Sequence, residues 1–245
     1  MDFVVEVEAI SRPLNINLFC NKKSETSSYD RKIAEIRLVA RHPEVYEPCE
    51  DSYAIVDALL ADRAQLLELQ PKLCVEVGSG SGYVITSLAL LLNGLDSVHF
   101  LATDINQTAA ETTSRTLNNH AVKADVVVAD LLSGLENRCR GCVDVLLFNP
   151  PYVPTPEDEV GVKGITCSWA GGLRGRSVID RMLRIVNTLM SEKGLFYLVT
   201  VSENQPVEIC HLMKRAGFAS CIAIQRSTEE EVLQVLKFWR QDDEV

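Results

Sequence analysis

The stretch Leu73-Cys-Val-Glu-Val-Gly-Ser-Gly-Ser-Gly82 decides the fold. Its first five residues are apolar apart from Glu76, which predicts a short buried strand, and its glycines precede a helix predicted from Tyr83 to Leu92. Strand, glycine turn and helix form a nucleotide-binding arrangement, because glycines let the backbone approach a ligand and expose N–H groups to it. The spacing Gly-x-Gly-x-Gly matches neither a dinucleotide fold nor a P-loop.

Strands and helices alternate along the rest of the chain. We predict further strands at 98–102, 124–129, 143–148, 194–201, 222–225 and 232–238, and further helices at 53–69, 106–119, 176–192 and 205–216. Only a short turn separates the last two strands, so they should form a hairpin in which one strand runs antiparallel. The expected fold is α/β: a doubly wound, Rossmann-like sheet of seven mostly parallel strands with an antiparallel last strand and helices on both faces.

Length and charge limit the function. A chain of 245 residues suits one α/β domain, at 42–245, preceded by an N-terminal extension, 1–41, that we expect to be loosely held around a short helix at 31–41. The net charge of −10 does not attract phosphate backbones, so a nucleic-acid partner is not expected. No apolar run is long enough to cross a membrane, and the first residues lack a signal peptide, so we expect a cytoplasmic or nuclear protein.

The eight cysteines are scattered, and most lie in apolar runs, which is typical of reduced and buried thiols. Cys139-Arg-Gly-Cys142 is a CxxC pair, but no second pair or histidine cluster accompanies it. It also precedes a strand, whereas a redox pair would lie at the start of a helix. We therefore predict no metal site.

Acidic side chains lie at three successive strands. Glu76 is inside the first strand, where it would repel a pyrophosphate but suits a cationic ligand such as S-adenosylmethionine, which carries an ammonium and a sulfonium. Asp104 lies 22 residues past Gly82, at the tip of the second strand, where a carboxylate can accept both ribose hydroxyls. Asp130 ends the third strand, where its carboxylate can accept from an adenine amino group while Leu131 packs on the ring.

The residues Asn149-Pro150-Pro151-Tyr152, which we call the elbow, follow the fourth strand. The prolines stiffen the exit from the strand, and Asn149 is kept out of the helical region. The Asn149 side-chain oxygen and the Pro150 carbonyl can each accept one N–H of a planar amino group, on which Tyr152 can stack. Asn149, Pro150 and Tyr152 are therefore the candidate catalytic residues. We expect the fourth strand beside the first, which places the elbow next to the cofactor.

Together these segments resemble a known family. Glu76 to Gly82, with the elbow, is similar to the class I S-adenosylmethionine-dependent methyltransferases that modify planar nitrogens. Five further segments resemble the eukaryotic and archaeal HemK-type (PrmC-related) glutamine methyltransferases of the class I translation termination factor: Val45–Asp51, Thr103–Asn106, Trp169–Arg176, Gly194–Thr200 and Val235–Phe238. The resemblance covers about residues 42–240.

The resemblance implies a methyltransferase that uses S-adenosylmethionine to methylate N5 of the glutamine in a Gly-Gly-Gln motif of the termination factor. It implies a heterodimer with a small zinc-containing activator subunit. It assigns cofactor contacts to Ser52, Glu76, Gly78, Asp104, Asp130 and Leu131. Gly80 and Gly82 of the glycine turn, and Asn149 of the elbow, are our further candidates for cofactor contact. It assigns substrate contacts to Asn149, Pro150, Pro151 and Tyr152.

The glycine-rich loop 154–176 is long for a segment without secondary structure, so we expect it to border the substrate. Trp169 and Arg176 are further candidates for substrate contact. The structural alternative is that Trp169 packs in the core and that Arg176 only marks the start of a helix.

Other functions fit the same elbow. A nucleic-acid adenine N6-methyltransferase acts on an amino group with the same two donors, but the acidic surface, the lack of Lys/Arg clusters and the missing target-recognition domain count against it. Methylation of lysine or of a small molecule is a further alternative. The last alternative is a non-catalytic, methyltransferase-like subunit that only binds. The presence of all three strand-end acids together with the elbow argues against it.

Overall fold

The computed structural model describes residues 33–162, 164–227 and 232–241, so the first 32 residues of the predicted extension lie outside the described residues. In chain order the helices are α1 (Glu50–Ala61), α2 (Arg63–Leu69), α3 (Tyr83–Leu91), α4 (Gln107–Asn119), α5 (Glu136–Cys139), α6 (Ser177–Leu189) and α7 (Pro206–Arg215). The strands are β1 (Leu73–Val77), β2 (His99–Asp104), β3 (Asp125–Val128), β4 (Val143–Phe148), β5 (Met190–Val201), β6 (Phe218–Ser227) and β7 (Val232–Arg240).

The strands form one sheet with the order β3-β2-β1-β4-β5-β7-β6. β1 pairs in parallel with β2 on one side and with β4 on the other, so their C-terminal ends meet at one edge of the sheet. β7 runs antiparallel to both β5 and β6. The predicted seven-stranded, mostly parallel sheet with an antiparallel last strand is therefore confirmed, as is the position of β4 beside β1.

Buried side chains cover both faces of the sheet. On β5, Tyr197 packs in a cluster with Ile55 of α1, whereas the adjacent Phe196 packs in a second cluster with Met182 of α6. This alternation follows from the two-residue period of a strand. Phe196 also stacks on Phe238 of β7, with ring centroids 5.5 Å apart. The helices on both faces are thus held by separate apolar cores.

The helix predicted at 53–69 is in fact two helices, α1 and α2, because Asp62 interrupts it. The Asp62 carboxylate accepts a hydrogen bond from the Tyr197 hydroxyl at 2.7 Å and lies 2.6 Å from Nζ of Lys237. Both partners are on the sheet and distant in sequence. The helix propensity of residues 53–69 alone therefore does not indicate that the helix is interrupted at Asp62.

The helix predicted at 31–41 is wrong: the described part contains only one short 3-10 turn, Ile36–Leu38. The backbone N–H of Ala34 donates to Oγ of Ser87 in the domain at 3.1 Å, so it does not take part in a helical ladder. Ala34 is 3% exposed. Residues 33–41, which we assigned to the extension, thus pack against the domain.

Within the described ranges, no helix is long and apolar enough to span a bilayer. No group of three or more His, Cys, Asp or Glu residues in these ranges is placed to hold a metal ion. Every cysteine in the described ranges is a free thiol; Cys139 of the CxxC pair is buried and Cys142 is exposed.

The glycine turn after β1 packs directly on α4. Thr113 Oγ1 donates to the Gly80 carbonyl at 3.0 Å and lies 2.9 Å from Ser79 Oγ, with which it shares a hydrogen bond. Gly82 has φ +78°, and a Cβ added to it would lie 2.9 Å from Cα of Thr113. The third glycine of the turn is therefore required both by its backbone conformation and by the close approach of the helix.

We predict that Gly82→Ala lowers the free energy of unfolding by about 2–5 kcal/mol, since a left-handed residue costs about 1–2 kcal/mol and overpacking adds about 1–3 kcal/mol. Gly134→Ala is the matched control, because Gly134 has φ +81° and nothing within 4 Å of the added Cβ. Urea denaturation of both variants measures the difference. Equal losses of stability would show that the contact with α4 contributes nothing.

Candidate active site

An open cleft with about 1120 Å³ of empty space lies at the C-terminal ends of β1, β2 and β4. Most of the predicted site residues line it, namely Ser52, Glu76, Gly78, Gly80, Asp104, Asp130, Leu131, Asn149 and Pro151. The other predicted site residues are not part of its lining: Gly82, Pro150, Tyr152, Trp169 and Arg176. The cleft is therefore the candidate active site, and the parallel sheet brings its residues together from distant segments.

Glu76 lies at the base of the cleft and is 2% exposed. Its Oε2 accepts a hydrogen bond from the Ile85 N–H at 2.9 Å, at the start of α3. Burial raises the pKa of the Glu76 carboxyl well above its ordinary value, and the charge of Asp104 adds to this rise. A positively charged ligand group beside Glu76 would stabilise the carboxylate form, so the site fits a cation better than a phosphate.

The two carboxylate oxygens of Asp104 are both held by backbone N–H groups. Oδ2 accepts from Gly80 of the glycine turn at 2.8 Å, and Oδ1 accepts from Asn106 at 2.9 Å. Burial raises the pKa of Asp104, and these two hydrogen bonds act in the opposite direction. Because each carboxylate oxygen can accept twice, the oriented carboxylate can still bind the hydroxyl groups of a ligand.

Asp130 is paired with a residue that the sequence analysis did not identify. Arg181 of α6 donates from Nη2 to Asp130 Oδ2 at 2.7 Å, and both side chains are nearly half exposed. The next residue, Leu131, has φ +53°, an uncommon conformation for a residue with a side chain. Arg181 therefore orients the carboxylate, and Oδ1 of Asp130 remains available to a ligand.

The elbow begins beside the glycine turn, since a Cβ on Gly78 would lie 3.8 Å from the backbone oxygen of Asn149. Oδ1 of Asn149 is buried and has no hydrogen-bond partner in the described part of the chain. Leaving such an acceptor unpaired costs about 1–3 kcal/mol. Asn149 also lines the cleft, and we expect an N–H group of a ligand bound there to satisfy this oxygen.

Asp51 is a cleft residue that the sequence analysis did not assign. It is 4% exposed, and its Oδ2 accepts from the Tyr152 hydroxyl at 3.4 Å. Cys49 is the N-cap of α1, so Asp51 and Ser52 both lie in the first turn of this helix. The segment Val45–Asp51 was the available signal, since it carried part of the family resemblance.

Tyr152 is half-buried and packs against the apolar clusters on both faces of the sheet. Because its hydroxyl donates to Asp51, the ring is anchored under the elbow. The structure therefore places Tyr152 as a support of the elbow, and its expected stacking on the substrate stays a prediction.

Arg176 lies outside the cleft and is 7% exposed. Its guanidinium donates to Asp180 Oδ1, to the Asn204 carbonyl at 3.0 Å and to Glu208 Oε2 at 3.2 Å. These contacts join three elements of the fold, so Arg176 holds them together, and its expected contact with a substrate stays a prediction. Trp169 is 36% exposed and also does not line the cleft, although the two residues before it do.

Comparisons with known proteins agree with this geometry. Methyltransferase HEMK2 of Homo sapiens is 46% identical over 195 residues, which cover 80% of this chain and 89% of the relative. A chain of Methanocaldococcus jannaschii, provisionally named protein N5-glutamine methyltransferase MJ0928, is 29% identical over 199 residues, covering 81% and 93%. The structure of the E. cuniculi Mtq2–Trm112 complex, described as responsible for methylation of the eRF1 translation termination factor, superposes with a TM-score of 0.55 at 27% identity, covering 81% of this chain and 99% of that chain.

A family model also matches the part of the chain that contains the cleft. The model of the methyltransferase small domain matches residues 39–163, a range that holds the glycine turn, Asp104, Asp130 and the elbow. This range is half of the chain, and the human relative extends the similarity further. The chain therefore belongs to the methyltransferase small domain family and is a methyltransferase with a class I fold.

Proposed function

We propose that the enzyme uses S-adenosylmethionine to methylate the side-chain amide nitrogen, N5, of the glutamine in a Gly-Gly-Gln motif of the class I translation termination factor. The observation that carries this proposal is the unpaired Oδ1 of Asn149, which lies at a cleft whose acids suit a cationic nucleoside. The names of two similar proteins support it. The M. jannaschii relative is provisionally named a protein N5-glutamine methyltransferase, and the E. cuniculi Mtq2–Trm112 complex is described as responsible for methylation of eRF1.

The residues of the cleft fit S-adenosylmethionine. In this proposal Glu76 accepts from the ammonium group, and Asp104, oriented by the Gly80 N–H, accepts from the ribose hydroxyls. Asp130 has one oxygen left for the adenine amino group, beside the apolar side chain of Leu131. When bound, this cofactor supplies a methyl group activated by a positively charged sulfur.

The elbow meets the difficulty that an amide nitrogen is a poor nucleophile, because its lone pair is delocalised. Asn149 Oδ1 and the Pro150 carbonyl can each accept one N–H of the target amide, which orients its nitrogen. Both acceptors also favour the positive charge that develops on nitrogen as the N–CH₃ bond forms and the S–CH₃ bond breaks. Orientation of this kind contributes about 7–11 kcal/mol in well-placed reactions. The methylated nitrogen then loses one proton to water.

The charge of the cleft favours a protein amide over a nucleic-acid base. The same two acceptors would fit the exocyclic amino group of adenine. However, among the described residues that line the cleft, Arg181 is the one basic residue, against five acidic ones: Glu44, Asp51, Glu76, Asp104 and Asp130. Arg181 is already paired with Asp130. A phosphate backbone would therefore be repelled by the cleft.

We also propose a heterodimer with a small, zinc-containing activator. The E. cuniculi structure supports the pairing, since it is a complex of two proteins, Mtq2 and Trm112. β3 is an edge strand of the sheet, and Val128 at its end is 53% exposed. Ile105, after the neighbouring β2, is 48% exposed. An edge strand with exposed apolar side chains is a surface that another chain can cover.

The test of function is to incubate the enzyme with labelled S-adenosylmethionine, a termination factor that contains Gly-Gly-Gln, and the activator. Mass spectrometry should locate one methyl group on that glutamine, and Asn149→Ala should slow the transfer by about 100-fold or more, because one acceptor of the reacting amide is lost. DNA and RNA oligonucleotides should stay unlabelled. Label on adenine, or an unchanged rate for Asn149→Ala, would contradict the proposal.

Asp104→Asn should weaken binding of S-adenosylmethionine by about 10-fold or more in calorimetry, since a hydrogen bond to a charged group contributes about 1.5–3 kcal/mol. Asp96→Asn makes the same charge change at an exposed residue before β2 and serves as the control. The ribose assignment fails if the two variants bind the cofactor equally well.

Val128→Glu should abolish co-purification of the activator, because it puts a charge on the edge that we assign to the partner. Val207→Glu is the control, since Val207 lies on α7 and is 70% exposed. Size-exclusion chromatography of the co-expressed pair gives the result. A stable heterodimer with Val128→Glu would exclude this edge as the interface.

A further inference from the structure

The carboxyl end of the elbow is hydrogen-bonded to a buried amide, that of Asn204. Its Nδ2 donates to the Tyr152 carbonyl at 2.8 Å and to the Arg174 carbonyl at 2.9 Å. Its Oδ1 accepts from the N–H of Val201 at 2.8 Å, at the end of β5. Asn204 therefore joins three segments: the elbow, the 3-10 turn Leu173–Gly175 and the last residue of a central strand.

Asn204 is itself fixed in place. It is completely buried, and its backbone carbonyl accepts from Nη1 of Arg176 at 3.0 Å. Arg176 is in turn paired with Asp180 of α6 and with Glu208 of α7. A buried amide whose donors and acceptor are all used has one favourable orientation, so it can hold its partners at defined positions.

The glycine-rich loop lies against the same end of the elbow. A Cβ added to Gly171 would lie 2.5 Å from the Pro151 carbonyl oxygen, and one added to Gly175 would overlap the Tyr152 carbonyl oxygen, at 1.8 Å. Gly175 also has φ +66°. These two glycines let the loop backbone approach the elbow at Pro151 and Tyr152, and the Tyr152 carbonyl also accepts from the Asn204 amide.

We propose that Asn204 is a positioning residue for methyl transfer, which acts by fixing the Tyr152 carbonyl and thereby the direction of the acceptors at Asn149 and Pro150. The two prolines between Asn149 and Tyr152 have restricted φ, so a shift of Tyr152 is transmitted to Asn149. A displacement of about 1 Å at a reacting group can slow a reaction by about 100-fold. This inference rests on the proposed role of the elbow.

Asn204→Asp provides the test, because it keeps the shape and the Oδ1 acceptor for Val201 but puts an oxygen opposite the Tyr152 and Arg174 carbonyls. We expect kcat for glutamine methylation to fall by about 100-fold. The affinity for S-adenosylmethionine should stay that of the wild type, since Asn204 does not line the cleft. Asn93→Asp, at an exposed turn after α3, makes the same charge change and should leave both quantities unchanged.

Hydrogen exchange measured by mass spectrometry gives a readout that needs no substrate. The N–H of Val153 donates to the Trp169 carbonyl at 3.0 Å, and the N–H of Gly171 donates to the Val153 carbonyl at 2.8 Å. Both should exchange faster in Asn204→Asp, whereas the glycine turn 78–82 should exchange as in the wild type. Arg176→Lys, which has fewer donors for the Asn204 carbonyl, should cause a smaller change in the same direction.

Two results would overturn the positioning role of Asn204, and a third would overturn only the proposed function. Wild-type kcat together with wild-type exchange at Val153 in Asn204→Asp would overturn the inference. A parallel loss of cofactor affinity, melting temperature and kcat would also overturn it, since Asn204 would then serve general folding. If the wild-type enzyme leaves glutamine unlabelled, the proposed function fails, and exchange at Val153 still decides whether Asn204 fixes the elbow.

Discussion

The buried oxygen of Asn149 is the constraint on which the active site depends. An acceptor without a partner is unfavourable by about 1–3 kcal/mol, and it would normally rotate toward water or toward a neighbouring donor. Here β4 is a central strand, two prolines follow it, and the residue after them is hydrogen-bonded at both its hydroxyl and its carbonyl. The fold thus holds this acceptor unpaired, as the proposed binding of a substrate amide requires.

The acids of the cleft make this arrangement selective. Glu76 and Asp104 are both buried, and burial raises the pKa of each. A cofactor with an ammonium group compensates for this cost, whereas a phosphate group would increase it. The cleft is lined by five acidic residues and one basic residue of the described chain, so the electrostatics that suit the proposed cofactor also disfavour nucleic acid as the second substrate. In this proposal the cofactor and the substrate class have one physical origin.

Much of the fold and of the cofactor cleft was predictable because short-range patterns determine them. Strand and helix periods gave the order of elements, and acids at the ends of neighbouring parallel strands had to meet at one edge. Three residues were missed because their hydrogen-bond partners are far away in the sequence. Asp51 and Asn204 both bind Tyr152, which is 101 and 52 residues away, respectively. Arg181 binds Asp130, which is 51 residues away. The motif around Arg176 was visible in the sequence, but its contacts with Asn204 and Glu208, 28 and 32 residues away, were not. The break at Asp62 has the same cause.

A structure of the enzyme with S-adenosylhomocysteine and a Gly-Gly-Gln peptide tests the central claim most directly. The account predicts the glutamine side-chain nitrogen within hydrogen-bond distance of both Asn149 Oδ1 and the Pro150 carbonyl, that is, about 2.7–3.2 Å. It also predicts that the Tyr152 carbonyl is still bound to Asn204. A glutamine amide that lies elsewhere in the cleft, with Asn149 Oδ1 still unpaired, would contradict the account.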